Sequence, residues 1–238
     1  MEIRLNAPAS KIISNGNFRN QKRFHSFAPE LQKRMELKDK ILAVAFEMFL
    51  KRGIRSVSMD DIAQEMAISK KTIYKWYENK DAIVFAAIEN YLKVTEERCN
   101  CFAEQSANAI DELFQTMDML RQMFGGIHPS VIFDIQKFHP KTWQLIEKHK
   151  SSFLLSKIIN NMNRGIKESL YRADLDVEII SRLRLAQIGI VFNNETFPPS
   201  QFNQQRVQVA CLEHYMLGIA TLKGHKLINK YKHVTEEE

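Results

Sequence analysis

Residues 58–83 read SMDDIAQEMAISKKTIYKWYENKDAI, and this stretch decides the fold. Ser58 precedes Asp60 and Asp61, so its hydroxyl can cap a helix while Asp61 reaches back to the cap. Both carboxylates suit the positive end of a helix. Ile62, Ala63 and Met66 give this short helix one apolar face. Ala67-Ile68 then forms a tight turn, and Ser69, another strong cap, starts a second short helix. Two short helices joined by a tight turn make a helix-turn-helix. Ile73 and Tyr77 stand four apart and share the inward face, which turns Lys71 and Lys75 outward, with Thr72, Tyr74 and Trp76 beside them. Such a face on so short an element is poorly explained as scaffolding. It suits a DNA major groove, where Lys and Thr read base edges and Tyr holds phosphates.

Outward from this stretch, the remaining chain reads as helical. Upstream, Ile41, Leu42, Ala45, Phe46, Phe49 and Leu50 form one face of a helix that Gly53 stops. Downstream, Asn79 caps a long helix carrying Ile83, Val84, Ala87, Ile88, Tyr91 and Leu92 on one face, with Lys80 in its first turn. Further helices are expected over about 108–124, 128–138, 141–170 with a kink, 175–193 and 203–222. Sustained strand alternation and internal repeats are both missing. The expected architecture is all-α, with a DNA-binding head over 35–83 and a helical effector-binding and dimerisation domain over 84–238.

Residues 1–34 lack apolar periodicity and read as a basic arm, with Met35 an alternative translation start. Net charge is +6, and its excess is localised: Lys and Arg outnumber Asp and Glu by 7 to 3 over residues 1–36 and by 9 to 7 over 37–83, then balance at 18 to 18. A basic end is the electrostatic footprint of a polyanion binder. No apolar run reaches the roughly 18 residues that span a bilayer, so a cytoplasmic location is expected. Cys99, Cys101 and Cys211 are odd in number, and the first pair diverges on a helix. They read as small buried or half-buried thiols.

The 58–83 run resembles the TetR family of bacterial regulators. Ser58 stands at the family's cap, Ile62-Ala63 at its core pair, Ala67-Ile68-Ser69 at its turn, Thr72-Ile73-Tyr74 at its reading triplet, and Tyr77 with Lys80-Asp81 at its closing motif. Two positions depart from the pattern. Ala67 replaces the usual turn glycine and resists a positive φ, while Lys71 adds a charge where a small residue or Pro is common. The runs Arg164–Asp176 and Glu213–Thr221 resemble the seventh-helix end and the last helix of such regulators.

The resemblance implies a homodimer on a palindromic operator in double-stranded DNA, released by a small-molecule effector. Combined with the outward face, it nominates Ser58, Ser69, Lys70, Lys71, Thr72, Tyr74, Lys75, Trp76 and Lys80 for DNA. By the same resemblance the last two long helices form a four-helix dimer interface, with Ile180, Leu183, Gln187, Ile190, Val207, Cys211, His214, Leu217 and Gly218 as contacts. Met117, Met119, Met123, Phe124, Phe133, Phe138, Trp143 and Met162 are expected mostly in the core, and an adaptable wall of this kind also suits an apolar effector. The long helix beginning at Asn79 is expected to link the head to that effector.

Phosphate-loop, dinucleotide, zinc-protease and nucleophile-elbow motifs are absent from the sequence. His128, His139, His149 and His214 are scattered and read as surface or hydrogen-bonded groups, so no cofactor, metal or enzymatic activity is expected. The alternative function is an architectural or nucleoid-associated DNA binder without an effector.

Overall fold

The computed structural model describes residues 36–124 and 126–233. The basic arm over 1–34, Met35 and the side chains of Met123 and Phe124 lie outside the described residues. Eleven α-helices run in order among them: α1 Leu37–Arg52, α2 Met59–Glu65, α3 Lys70–Tyr74, α4 Lys80–Gln105, α5 Ala109–Phe124, α6 Ser130–Phe138, α7 Pro140–His149, α8 Leu155–Lys167, α9 Val177–Ile190, α10 Gln204–Ile219 and α11 Leu222–Lys232. The fold is all-α, with a single isolated bridge between Tyr171 and Ala220 among the described residues.

Side-chain caps start most of these helices. The backbone N–H of Ala82 donates to Asn79 Oδ1 at 2.9 Å, and that of Ile179 donates to Asp176 Oδ1 at 3.0 Å. Each such cap stabilises its helix by about 1 kcal/mol. Gly53 ends α1 with a φ of +82°. A Cβ there would lie 2.6 Å from Ser130 Oγ, so this position needs glycine both for its backbone and for its space.

The described residues from Ile41 onward form one compact unit with two hydrophobic cores. The first joins Ile41, Ala45 and Phe49 of α1, Ile62 of α2, Ile73 of α3 and Ile83, Val84 and Ile88 of α4. Val131 and Ile135 of α6 complete it. Ile41, Ile62, Ile73, Ile83 and Ile135 have no solvent exposure, and each contributes roughly 1.5 to 3 kcal/mol by leaving water. The second core gathers Ile110, Met117, Met162, Tyr171, Leu212, Met216 and Ile228. Within it Gly165 meets the Tyr171 ring so closely that a Cβ would sit 2.0 Å from it. The Tyr171 hydroxyl donates to the Ala109 carbonyl at 3.1 Å and lies 3.0 Å from Asn161 Oδ1.

Three sequence expectations need correction. The helix expected over 141–170 is interrupted by a π-helical turn, Lys150–Leu154, which realises the kink, and it ends at Lys167. The Glu213–Thr221 run does not end the fold, because α11 follows it. The break comes where the Arg172 N–H donates to the Ile219 carbonyl, the Thr221 N–H donates to Leu170, and Thr221 caps α11. Phe133 and Phe138 are exposed rather than in the core, since α6 turns Val131 and Ile135 inward and presents its other face to solvent.

Candidate nucleic-acid interface and middle cleft

The reading head is assembled by reciprocal caps. Ser58 Oγ accepts the Asp61 N–H at 3.2 Å, and Asp61 Oδ2 accepts the Ser58 N–H at 2.7 Å. These bonds hold the Asp61 carboxyl below the usual carboxylate range. They also engage the Ser58 hydroxyl, which donates to the same carboxylate at 2.6 Å. Ser69 Oγ caps α3 by accepting the Thr72 N–H at 3.1 Å, and it lies 2.8 Å from Thr72 Oγ1. Between the two helices Ala67 carries a φ of +50°. The turn therefore does need the left-handed conformation, and alanine bears its strain.

Ile73 is fully buried and Tyr77 nearly so, as their spacing requires. Lys70, Lys71, Tyr74, Lys75 and Trp76 are exposed, and Thr72 is half-buried. α3 is only five residues long, so Trp76 lies in the turn beyond its C-cap, Lys75, rather than on the helix. Lys70 Nζ donates to Asp60 Oδ2 at 2.8 Å, which raises the ammonium pKa. Lys80 is put to a different use from its neighbours. Its ammonium donates to the Val57 carbonyl at 2.7 Å in a half-buried position, and burial lowers its pKa. It ties the start of α4 to the loop before α2, a role that spacing alone does not reveal.

Behind the head, α6 is held by more than packing. The Asp134 carboxylate is buried, accepts the Arg55 N–H at 3.3 Å and accepts from the Ser130 hydroxyl at 3.1 Å. The His128 N–H donates to the Leu50 carbonyl, and the Arg55 guanidinium lies 4.7 Å from the centre of the Phe138 ring. His139, where α6 meets α7, is buried with Nδ1 3.0 Å from Asp81 of α4. Burial holds its imidazole pKa below the ordinary value, against the pull of Asp81. His149 lies 3.0 Å from Glu96, and His214 is exposed. The four histidines thus occupy separate environments.

Between α6 and α7 on one side and α9 on the other lies a cleft of about 420 Å³ lined by Ile132, Gln136, Trp143 and Ile146, and closed by Ala186, Ile188, Gly189 and Ile190 of α9 with Phe192 and Asn193 of the turn after it. Lys150, paired with Glu147 at 2.9 Å, stands at its edge. No residue of α4, the helix expected from sequence to link the head to the effector, lines this cleft.

The dimer contacts expected from sequence divide. Leu183, Ile190, His214, Leu217 and Gly218 are exposed, and Ile180, Gln187 and Cys211 are half-buried. Val207 is buried against its own protomer and is unavailable to a partner, because the start of α10 packs that side inward. Ile179, which the sequence reading missed, is 62% exposed. The three cysteines are free thiols in half-buried positions.

Residues 41–87 match the model of the bacterial regulatory proteins of the tetR family. Over these residues the chain carries the helix-turn-helix head of the TetR family. It is a DNA-binding transcriptional regulator with an N-terminal helix-turn-helix. The regulator is 25% identical to the uncharacterised HTH-type transcriptional regulator YvaF of Bacillus subtilis over 183 residues, covering 76% of this chain and 94% of YvaF. It is 22% identical to the HTH-type transcriptional repressor KstR2 of Mycobacterium tuberculosis, covering 60% of this chain and 72% of KstR2. Its fold matches that of a transcriptional regulator from Saccharomonospora viridis in complex with choline, with a TM-score of 0.61 and 19% identity, covering 77% of this chain and 97% of the other. No helix among the described residues is long and apolar enough to cross a membrane.

Proposed function

We propose that the regulator is a homodimeric repressor that holds a palindromic operator with the α3 face of each head and releases it when an apolar small molecule enters the middle cleft. The observation that carries this reading is the division of α3 between a buried Ile73 and an exposed Lys71, Tyr74 and Lys75 with Thr72 beside them. Lys71 and Lys75 supply phosphate attraction or base contacts, Thr72 reaches a base edge or a thymine methyl, and Tyr74 holds a phosphate. Ser58, Ser69, Lys70 and Lys80 chiefly hold this surface in shape through the bonds described above. Trp76 borders it.

Dimerisation is supported by Ile179 and Leu183, four apart on α9 and both exposed, with Ala186 and Ile190 continuing the stripe to the edge of the cleft they also line. This is the seam expected of a helix that packs against a partner. Release is supported by the position of α6, whose Ile132 and Gln136 line the cleft while Val131 and Ile135 sit in the core of the head. A ligand that shifts α6 disturbs the packing under the helix-turn-helix and with it the separation of two heads that must match grooves about 34 Å apart. Repressor naming among the relatives agrees with this reading.

The test selects bound duplexes from a random double-stranded library with the full chain, then measures the winning site against the double variant Lys71→Ala/Thr72→Ala. The Thr72 change should alter preference at one or two base pairs by roughly 1 to 3 kcal/mol. The Lys71 change should weaken all duplexes and reduce the salt slope by about one. Unchanged operator affinity in the double variant rejects the reading of α3.

A further inference from the structure

A second polar constellation lies inside the regulator, away from the DNA-facing surface. Arg184 of α9 is only 4% exposed, and its Nη1 has no hydrogen-bond partner among the described residues. No carboxylate among those residues forms an ion pair with it, and its guanidinium carbon lies 5.4 Å from the centre of the Tyr215 ring of α10. The Tyr215 hydroxyl, Gln187 Oε1 and Gln208 Oε1 are likewise buried without partners. A buried cation without a counter-charge is strongly unfavourable, and burial lowers the pKa of Arg184. Four buried polar groups without partners, on two adjoining helices, have the composition of a binding site.

Nor is Nη1 open to the surface of the protomer. It faces the interior between α9 and α10, toward the Tyr215 ring. An anion that answers Nη1 would sit in this interior. One helical turn along α9 from Arg184 stands Ile188, which lines the middle cleft and whose carbonyl takes a long hydrogen bond from the Gln208 amide. The neighbouring walls are adaptable. Ser181, on the same face of α9 as Arg184, touches the Met162 sulfur, and Met216 follows Tyr215.

We propose that the effector is an apolar acid whose carboxylate pairs with Arg184 and Tyr215 between α9 and α10, with its hydrocarbon part running into the cleft. This rests on the effector reading above and adds the ligand's chemical class. Arg184 supplies the charge-assisted bond and the Tyr215 hydroxyl donates a second. The amides of Gln187 and Gln208 can turn to present either an oxygen or an NH2 to the headgroup.

The experiment measures binding to the full chain without DNA, by calorimetry and thermal unfolding, using octanoate, octanol and sodium chloride as probes. Octanoate should bind at least tenfold more tightly than octanol and raise the melting temperature. The Arg184→Met variant, which removes the unpaired charge while keeping side-chain bulk, should remove that preference without lowering the ligand-free melting temperature. The Arg184→Lys variant keeps the charge and should retain part of the preference, so a conclusion remains available if the methionine variant folds poorly. Equal binding of octanoate and octanol, or octanoate binding unchanged in Arg184→Met, overturns the proposal. Chloride that saturates the site and excludes octanoate also overturns it, in favour of a structural inorganic ion. Octanoate that binds through Arg184 yet leaves operator affinity unchanged supports this site and rejects the release mechanism instead.

Discussion

Lys70 and Asp60 join the two helices of the helix-turn-helix by an ion pair, Nζ to Oδ2 at 2.8 Å, on the surface where the DNA phosphates would lie. The lysine that opens α3 is therefore partly neutralised before DNA arrives. Replacing Asp60 with Asn removes one negative charge and frees Lys70. Affinity for any duplex should rise several-fold at low salt, with sequence preference unchanged, because phosphate attraction carries no base information. Fluorescence anisotropy with matched and scrambled duplexes measures both. An increase confined to the matched duplex would show that Asp60 shapes base reading instead.

Ala67 holds a φ of +50° in the turn, and glycine reaches that conformation without a Cβ clash. Ala67→Gly should stabilise the regulator by about 0.5 to 1 kcal/mol, the relief of strain exceeding the extra entropy of the unfolded chain. Gly53→Ala should act in the opposite direction and more strongly, by over about 2 kcal/mol, since it meets Ser130 Oγ as well as an unfavourable φ. Denaturant melts of both variants provide the check. A destabilised Ala67→Gly would mean that the methyl packing outweighs the strain.

Leu183 is 54% exposed in the middle of the α9 stripe. Leu183→Glu should convert the proposed dimer to monomer at micromolar concentration and weaken operator binding by at least about tenfold, because two half-sites no longer bind as one unit. Sedimentation velocity reads the first and anisotropy the second. A wild-type chain that is already monomeric would exclude the interface.

Stability should depend on pH through His139, whose imidazole is buried beside Asp81 with Lys80 and Asp134 nearby. Its native pKa lies below the ordinary 6.5, so the unfolded chain binds a proton more readily than the folded one. Its contribution is thus present above that value and is lost as pH falls through and below it. Guanidinium melts from pH 7.5 down to 5.5 should show falling stability, and His139→Gln should flatten the slope. An identical slope in the variant would assign the dependence elsewhere.

The sequence by itself determined the reading head and the helical class. Caps and apolar periodicity act within a few residues, so Ser58 with Asp61, Ser69, Asn79 and the Ile73–Tyr77 pair are legible without knowing what packs against them. Tertiary structure decided where these groups spend their bonds. Lys80 looks like any first-turn lysine until Val57, 23 residues earlier, offers it a carbonyl. Helix α11 is capped by Thr221 but is mostly polar, and the burial of Ile228 comes from distant partners in the second core. Val207, nominated as a contact, is buried, and Ile179, not nominated, is exposed, because the apolar pattern alone does not say which side of α9 or α10 faces outward. Arg184 lies at the limit of sequence reading. An arginine in an amphipathic helix normally faces water, and only the packing of α9 against α10 removes that water and leaves its Nη1 buried without a partner among the described residues.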